Sequence, residues 1–522
     1  MTVGISMSWV SDSIAGQAPS VAPDRAAVSI ADQPPLTWRE FREREILFAS
    51  ALQRAGVQPG DRVGMLLKNS VDYIVLVFAI ARVGGVAVRL NWRLMPRELK
   101  FILEDSGTSL LFIDHDLVDK VEPIRDGVPV RKFVVRGDPE VAADWAEPLE
   151  DFLDGELRTD FPELDMDAPA TLMYTSGTTG LPKGAIWTHG NNLWFSTIQA
   201  LRWKFDASTV AVTAGPLFHA GGWEALLLAA MVNHGTAITY SSGAFDLLEY
   251  LAACRIQEAT DILLYSFMVP EFIRLPNCEE LLPSTLRRIV CGGDTLMPWV
   301  YEEFARRLPH IELVQVYGLT EGGAITCCLD GADSDRAGSV GRTMPFTEVK
   351  VLDPEGNLVS PGVAGELYVR SPAVSPGYWN RPDANAETFI DGWCRTGDLA
   401  SIDAAGFITL GGRAKDMIRS GGENVYPAEI EAVLATAPGV ADAAVVAVPD
   451  ARWHEVGCAV LVPIHGNTID IAAVRSYCLE HLAKYKVPRY FVVEGELPRT
   501  PSGKVKKFEL RDRWRALGAA AS

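Results

Sequence analysis

Tyr174-Thr175-Ser176-Gly177-Thr178-Thr179-Gly180-Leu181-Pro182-Lys183-Gly184 is the stretch from which the rest of the chain can be read. It follows a β-prone run, Thr171-Leu172-Met173-Tyr174, and precedes a helix-like run, so strand, loop and helix are the expected order. Its glycines free the backbone to wrap closely around an anion. The hydroxyls of Thr175, Ser176, Thr178 and Thr179 and the exposed amides can donate to phosphate oxygens, and Lys183 supplies charge. It is not a Walker A loop, which requires Gly-Lys-Ser/Thr at its end, because Pro182 stands where the second glycine would be. Alone, such a run reads equally well as a solvated turn.

Working outward, helix and strand patterns alternate on the N-terminal side. Thr37 to Gly56 has helical spacing with Gly56 as its stop, Asp61 to Leu67 reads as a buried strand, and Val71 to Gly85 as a buried helix. The alternation continues to about residue 330 and predicts mostly parallel sheets covered by helices, an α/β class. Residues 340–410 carry short strands (Glu348-Val-Lys-Val-Leu-Asp353, Gly365 to Ser371, Gly406 to Gly412) between Gly/Pro turns, a small β-rich subdomain. After Gly412 the pattern changes again. A helix from Ala428 closed by Gly439, a strand from Ala441 to Asp450 and a helix from Ile469 to Tyr485 suggest a separate α+β domain. The expected division is therefore 1–412 and 413–522.

Composition narrows the function. Of 522 residues, 48% are apolar and 22% charged, ordinary globular usage. The formal net charge of −19 argues against nucleic acid or an anionic membrane as a partner. A polyanion such as ATP would have to be held by a few placed cations and backbone donors. Eight cysteines form no C-x-x-C pair and complete no zinc spacing, so reduced, mostly buried thiols and a cytoplasmic protein are expected. The first twenty residues lack the basic and apolar regions of a secretory leader. The most apolar run, Tyr73 to Leu90, is broken by Arg82 and two glycines and is too short to span a bilayer.

Four further segments carry chemistry. Gln315-Val316-Tyr317-Gly318-Leu319-Thr320-Glu321 puts a hydroxyl beside a carboxylate at a strand end, which suits the oxygen preference of Mg²⁺. Trp393 to Leu399 holds Asp398 in a Gly turn, where it could accept both hydroxyls of a ribose. Gly412 to Ile418 leads into Ser420-Gly421-Gly422-Glu423-Asn424-Val425-Tyr426-Pro427, and Pro498 to Lys504 lies near the end of the sequence. Singly, each of these is an ordinary turn or solvated tail.

In this order the five segments resemble the adenylate-forming superfamily of acyl-CoA synthetases, luciferases and peptide-synthetase adenylation domains, from about Leu36 to Leu510. The resemblance implies a large adenylation domain and a small mobile C-terminal domain. It implies a two-step ligation, in which a carboxylate attacks the α-phosphorus of ATP and a thiol then displaces AMP. ATP, Mg²⁺ and coenzyme A are the implied cofactor and substrates; a small carboxylic acid is the partner, and a homodimer is allowed. Thr175 through Lys183 would cradle the β- and γ-phosphates, Thr320 the α-phosphate, and Glu321 the metal. Gln315, Tyr317 and Gly318 would join the nucleotide site, with Asp398 and Arg413 on the ribose. Gly292, Gly293 and Asp294 would lie beneath adenine, although relatives often have Ala-Pro where this chain has Asp294-Thr295. Lys504 would bridge carboxylate and α-phosphate, Lys415 would be the hinge, and Ser420, Gly421, Gly422 and Glu423 would approach the thiol tunnel.

The run Pro216 to Glu224 bears on the acid. Amino-acid-activating relatives place an Asp where this chain has His219, so amino-acid activation is not expected. His219, Gly222, Trp223, Val316 and Gly322 would line the acyl pocket, and the branched Val316 leans the expectation towards an apolar acid of medium, branched or cyclic shape. A carrier-protein phosphopantetheine thiol is the alternative acceptor.

Overall fold

The computed structural model describes residues 22–31, 33–138, 144–175, 182–243, 245–293, 296–323, 325–413, 416–420, 423–450, 454–464, 467–482, 484, 486–500 and 504–519. Two large sheets dominate. One runs Glu147–Pro148, Lys132–Arg136, Leu110–Asp114, Arg62–Leu66, Val86–Arg89, Pro169–Thr175 and Lys183–Thr188, parallel except for the last pair. The other centres on Glu312–Tyr317, Arg288–Gly292, Asp261–Tyr265, Val210–Thr213, Thr236–Thr239 and Ala26–Ile30, all parallel, with antiparallel strands at both edges.

A layer of helices lies between them. The helix Val71–Arg82 is apolar all round, and every residue from Tyr73 to Arg82 is buried. It shares one core with Val63, Met65 and Ala87 of the first sheet and Ala211, Leu263, Val290 and Val314 of the second. A helix with no polar face needs cover on all sides, and two sheets provide it. This is why the most apolar run of the sequence is core. Among the described residues no helix is long and apolar enough to cross a membrane. The neighbouring helix Trp38–Arg54 begins in a capping box, Thr37 with Glu40, and stops before Gly56, whose φ of +84° suits glycine alone.

The expected β-rich region is an antiparallel sheet of Glu348–Leu352, Gly365–Arg370, Phe389–Ile390, Trp393–Ile402 and Ile408–Arg413. A fourth sheet, from Ile418–Ser420 to Tyr490–Val493, is flanked by the helices Pro427–Leu434, Ile471–His481 and Lys507–Ala519. Layered parallel sheets, a β-rich subdomain and a small C-terminal domain are thus all present. All eight cysteines are buried and unpaired.

Two local expectations are corrected. The run after the glycine-rich segment is a strand, Lys183–Thr188, antiparallel to Pro169–Thr175, and the helix starts only at His189. The β-branched and aromatic residues of Lys-Gly-Ala-Ile-Trp-Thr favour a pleated surface, and Trp187 and Thr188 are buried there. The helix expected to run to Gly439 ends at Leu434, because Thr436, Ala437 and Pro438 make a turn instead.

Candidate active site

The hairpin correction places Lys183 opposite Thr175, so both ends of the glycine-rich segment are fixed by sheet pairing. Ser176, Gly177, Thr178, Thr179 and Gly180 lie outside the described residues. The hydroxyl of Thr175 donates to Glu321 Oε1 at 3.2 Å. Tyr378 donates its hydroxyl to the same oxygen at 2.9 Å, and Lys183 Nζ lies 5.1 Å from the Tyr378 ring centroid. Burial and the Glu321 charge push the Tyr378 phenol up, so it keeps its proton as donor. Backbone bonds from Trp379 to Gly184 (2.8 Å) and from Ile186 to Gly377 (2.9 Å) tie this segment along the hairpin. The hairpin and the Glu321 carboxylate are thereby held together by one tyrosine.

Among the described residues, Glu321 Oε2 accepts no hydrogen bond, while Oε1 takes both. That leaves a carboxylate oxygen beside a threonine hydroxyl, a donor set of the hard kind that Mg²⁺ prefers. No cluster of three or more His, Cys, Asp or Glu among the described residues could hold a metal alone.

Thr320 precedes Glu321 in a loop pinned by Trp187, whose indole donates to the Thr320 carbonyl at 3.0 Å. On the preceding strand, the carboxamide of Gln315 turns inward: its Oε1 accepts from the Leu296 amide (2.8 Å) and the Tyr301 hydroxyl (2.9 Å). Gln315 therefore braces the loop that follows Gly293. Gly293 has φ +105°, a conformation open to glycine. Asp294 lies outside the described residues. Tyr317 donates to Asp398 Oδ2 at 2.5 Å, and Asp398 pairs in register with Arg413 across adjacent strands. Asp398 lies not in a turn but within the strand Trp393–Ile402, next to Gly397 at φ +70° where the register shifts, and Thr396 fixes this irregularity by donating to the Leu367 carbonyl (2.7 Å) and accepting from the Asp398 amide (3.0 Å). A buried carboxylate is an acceptor-only group, the kind that ribose hydroxyls can bond.

On the acid side, His219 Nδ1 accepts from the Gly221 amide at 3.1 Å. The ring is therefore the tautomer with its proton on Nε2. Burial, then the positive charges of Lys504 and Arg89, lower its pKa to about 4. Gly222 is dictated by packing, since a Cβ there would sit 2.1 Å from the Pro216 carbonyl oxygen. Trp223 is fully buried, edge-to-face with Phe78 at 6.0 Å, so its ring belongs to the central core. Behind it Glu224 pairs with Arg89 at 2.7 Å, both side chains almost wholly buried. Val316 is half-buried on the strand beside Gly292, and Gly322 lies against Leu319 and Val369.

Lys504 lies outside the C-terminal sheet, between Thr500 and the helix Lys507–Ala519. The loop carrying it is closed by Thr500 N to Lys504 O (2.7 Å) and Lys504 N to Thr500 Oγ1 (3.1 Å). Its positive charge contributes to the lowering of the His219 pKa. Lys415, Gly421 and Gly422 fall outside the described residues, and Ser420 and Glu423 face each other in a two-strand pairing.

Family comparison decides the identity. The model of the AMP-binding enzyme matches residues 16–379, and that of the AMP-binding enzyme C-terminal domain matches 429–504. The chain belongs to the AMP-binding enzyme family. It is 38% identical to a feruloyl-CoA synthase of Amycolatopsis sp over 92% of this chain and 94% of that one. It is 36% identical to the fatty acid–[acyl-carrier-protein] ligase ScoC of Streptomyces coeruleorubidus over 92% of each. Among solved structures, the o-succinylbenzoate coenzyme A synthetase of Bacillus subtilis with ATP and magnesium ion superposes with a TM-score of 0.84. It is 31% identical, with 97% of this chain and 99% of that one covered.

Within this AMP-binding enzyme, sequence reasoning passed over Tyr378, Trp187, Thr396 and the Arg89–Glu224 pair. Glu224 had a signal: it is the one charge in the apolar run Trp223 to Val232, and a charge so placed needs a buried partner. Tyr378 had none, because its link to Glu321 crosses 57 residues.

His219 also predicts a pH response. Its folded pKa lies below the ordinary value near 6.5, so the unfolded chain binds the extra proton first. The stability this contributes is complete above about pH 6.5 and is lost as pH falls towards 4. His219→Asn should flatten that part of the decline, read as Tm against pH. An unchanged slope would mean the imidazole is not held neutral.

Proposed function

We propose that the protein is an ATP-dependent acid–thiol ligase that forms an acyl-adenylate with release of pyrophosphate, then passes the acyl group to coenzyme A with release of AMP. The observation that carries this is convergence. Thr175 and Tyr378 bond Glu321 beside Lys183, which suits phosphate and metal; Tyr317 bonds Asp398, which suits ribose; and the Lys504 charge acts on His219, which suits a carboxylate. Mg²⁺ held by Glu321 would neutralise charge on the phosphates. Asp398 accepts the ribose hydroxyls and fixes the nucleotide. Neutral His219 offers its Nε2 proton to a carboxylate oxygen, and a neutral donor does so without trapping the acid as a salt. Lys504 offsets the repulsion as carboxylate and α-phosphate, both anionic, are brought together. Catalysis of this kind is mainly positioning and electrostatics.

The resemblance to a fatty acid–[acyl-carrier-protein] ligase favours a second reading, in which the acceptor is a carrier-bound phosphopantetheine thiol. Both acceptors end in the same thiol. Pyrophosphate release across a panel of carboxylic acids, followed by thioester formation with free coenzyme A as sole acceptor, tests the first reading. Turnover only with a holo carrier protein would replace it by the second. The buried reduced thiols suit a cytoplasmic setting.

Glu321→Gln keeps shape and removes the charge a hard cation wants. Adenylation should become slow and its Mg²⁺ requirement should rise, measured as pyrophosphate release across a Mg²⁺ titration. A parental titration curve would place the metal elsewhere.

A further inference from the structure

Tyr265 ends the strand Asp261–Tyr265 and pairs in register with Gly292, which pairs with Val316. Two residues earlier on these strands, Leu263, Val290 and Val314 all enter the central core. Strand alternation starts the Tyr265 and Val316 side chains on the same face, one step nearer the carboxyl edge of the sheet; Val316 packs against the central core, and the Tyr265 ring joins the second core cluster, which also holds Met268 and Val269. Open α/β sheets bind their ligands at that edge. The His219 loop leaves the neighbouring strand Val210–Thr213 across the same edge.

The Tyr265 hydroxyl lies 3.1 Å from the point where a Cβ on Gly215 would stand. Gly215 in turn packs on Gly222, in the loop that carries His219. Tyr265 is 8% exposed, and among the described residues its hydroxyl has no hydrogen-bond partner. Its ring stacks on Phe267, with centroids 5.9 Å apart and planes 5° from parallel, a contact that phenylalanine would make equally well. A buried hydroxyl without a partner is destabilising, so folding gives no reason for the oxygen. Burial pushes the phenol up while the nearby Arg93 charge pulls against it; the group keeps its proton and is a donor. Among the described residues Arg93 has no carboxylate within ion-pair distance, and its guanidinium lies over the Trp92 ring at 4.3 Å.

We propose that Tyr265 is a specificity-determining residue of the acid pocket, its hydroxyl bonding an oxygen substituent (hydroxyl, ether or carbonyl) on the body of the acid. The inference rests on the acid–thiol ligase reading and refines its substrate class. The preferred acid is oxygenated, rather than a plain hydrocarbon acid of the same shape. A pocket built around a buried polar group discriminates against the analogue that leaves it unpaired more strongly than an apolar wall discriminates between methylenes.

The test is kcat/KM for matched pairs of acids differing by one oxygen, in the parent and in Tyr265→Phe, with Tm recorded for both. The parent should favour the oxygenated member of at least one pair by about tenfold or more. Tyr265→Phe should collapse that ratio by at least about tenfold, mainly through the oxygenated acid, with Tm unchanged or raised because the lost hydroxyl had no partner. Equal ratios in the two proteins, with both active, overturn this inference alone. So does a lower Tm with all acids losing activity alike, which marks the hydroxyl as structural. Binding of ATP without thioester formation from any acid overturns the ligase reading, and the inference with it.

Discussion

Lys504→Ala is expected to slow acid-dependent pyrophosphate release by about 10²–10³, the usual cost of removing one preorganised charge-stabilising donor. Thioester formation from synthetic acyl-adenylate and coenzyme A should survive largely intact. The first half-reaction forces two anions together, and Lys504 is a cation whose charge acts on His219. Its loop is short and braced at both ends through Thr500 and the Arg499–Val505 pairing, and Arg499 is anchored to Asp442 at 2.5 Å. The lysine therefore moves with its whole domain rather than by itself. Arg413 is the last residue of the third sheet and Ile418 the first of the fourth, and we propose that the domain turns between them. If turning precedes thiol attack, the lysine has left by then. Adenylate formation at the parental rate would sink the idea. So would a matched fall in both half-reactions with ATP affinity unchanged.

Glu224→Ala should cost about 3–5 kcal/mol of stability, because it leaves a buried guanidinium without its counter-charge. Arg89 spends its other terminal nitrogen on the Leu217 carbonyl at 3.0 Å. The pair thus clasps both ends of the segment that carries His219, and activity should fall with stability. The Arg89 Nε and Glu224 Oε2 atoms have no partners among the described residues, so the pair is incompletely compensated. Removing both charges together, as Arg89→Met with Glu224→Leu, should recover much of the denaturant midpoint while leaving the His219 loop less well placed. A single Glu224→Ala variant with a parental midpoint would refute the clasp.

The parallel sheets were legible because buried strands such as Arg288–Gly292 and Glu312–Tyr317 are short apolar runs bounded by turn signals. The hairpin at Lys183 was not. A glycine-rich loop between a strand and an apolar run is compatible with either a helix or a returning strand, and only pairing with Pro169–Thr175 and Gly377–Trp379 decides. Nucleotide-site segments could be named from local motifs, since each packs its chemistry into a few consecutive residues. Their bracing could not. Tyr378 reaches Glu321, Trp187 reaches Thr320 and Arg89 reaches Glu224 across long intervals of sequence, and nothing local in Tyr378, Trp187 or Arg89 announces the partner. The inward turn of Gln315 is of the same kind, settled by Leu296 and Tyr301 rather than by its neighbours in sequence.

The eight buried cysteines bear on the safety of the chemistry. An acyl-adenylate is a mixed anhydride that acylates any thiolate it meets, and the thiolate is the reactive form of cysteine. Burial raises every one of these thiols: Cys278 to about 11, Cys254 and Cys458 to about 12, and Cys291, Cys327, Cys328, Cys394 and Cys478 likewise upward. Cys394, which feels the negative charge of Glu321, is held protonated by that carboxylate as well. At neutral pH burial therefore disfavours the thiolate at every one of these cysteines, which works against acyl transfer onto the protein while the anhydride waits for the incoming thiol.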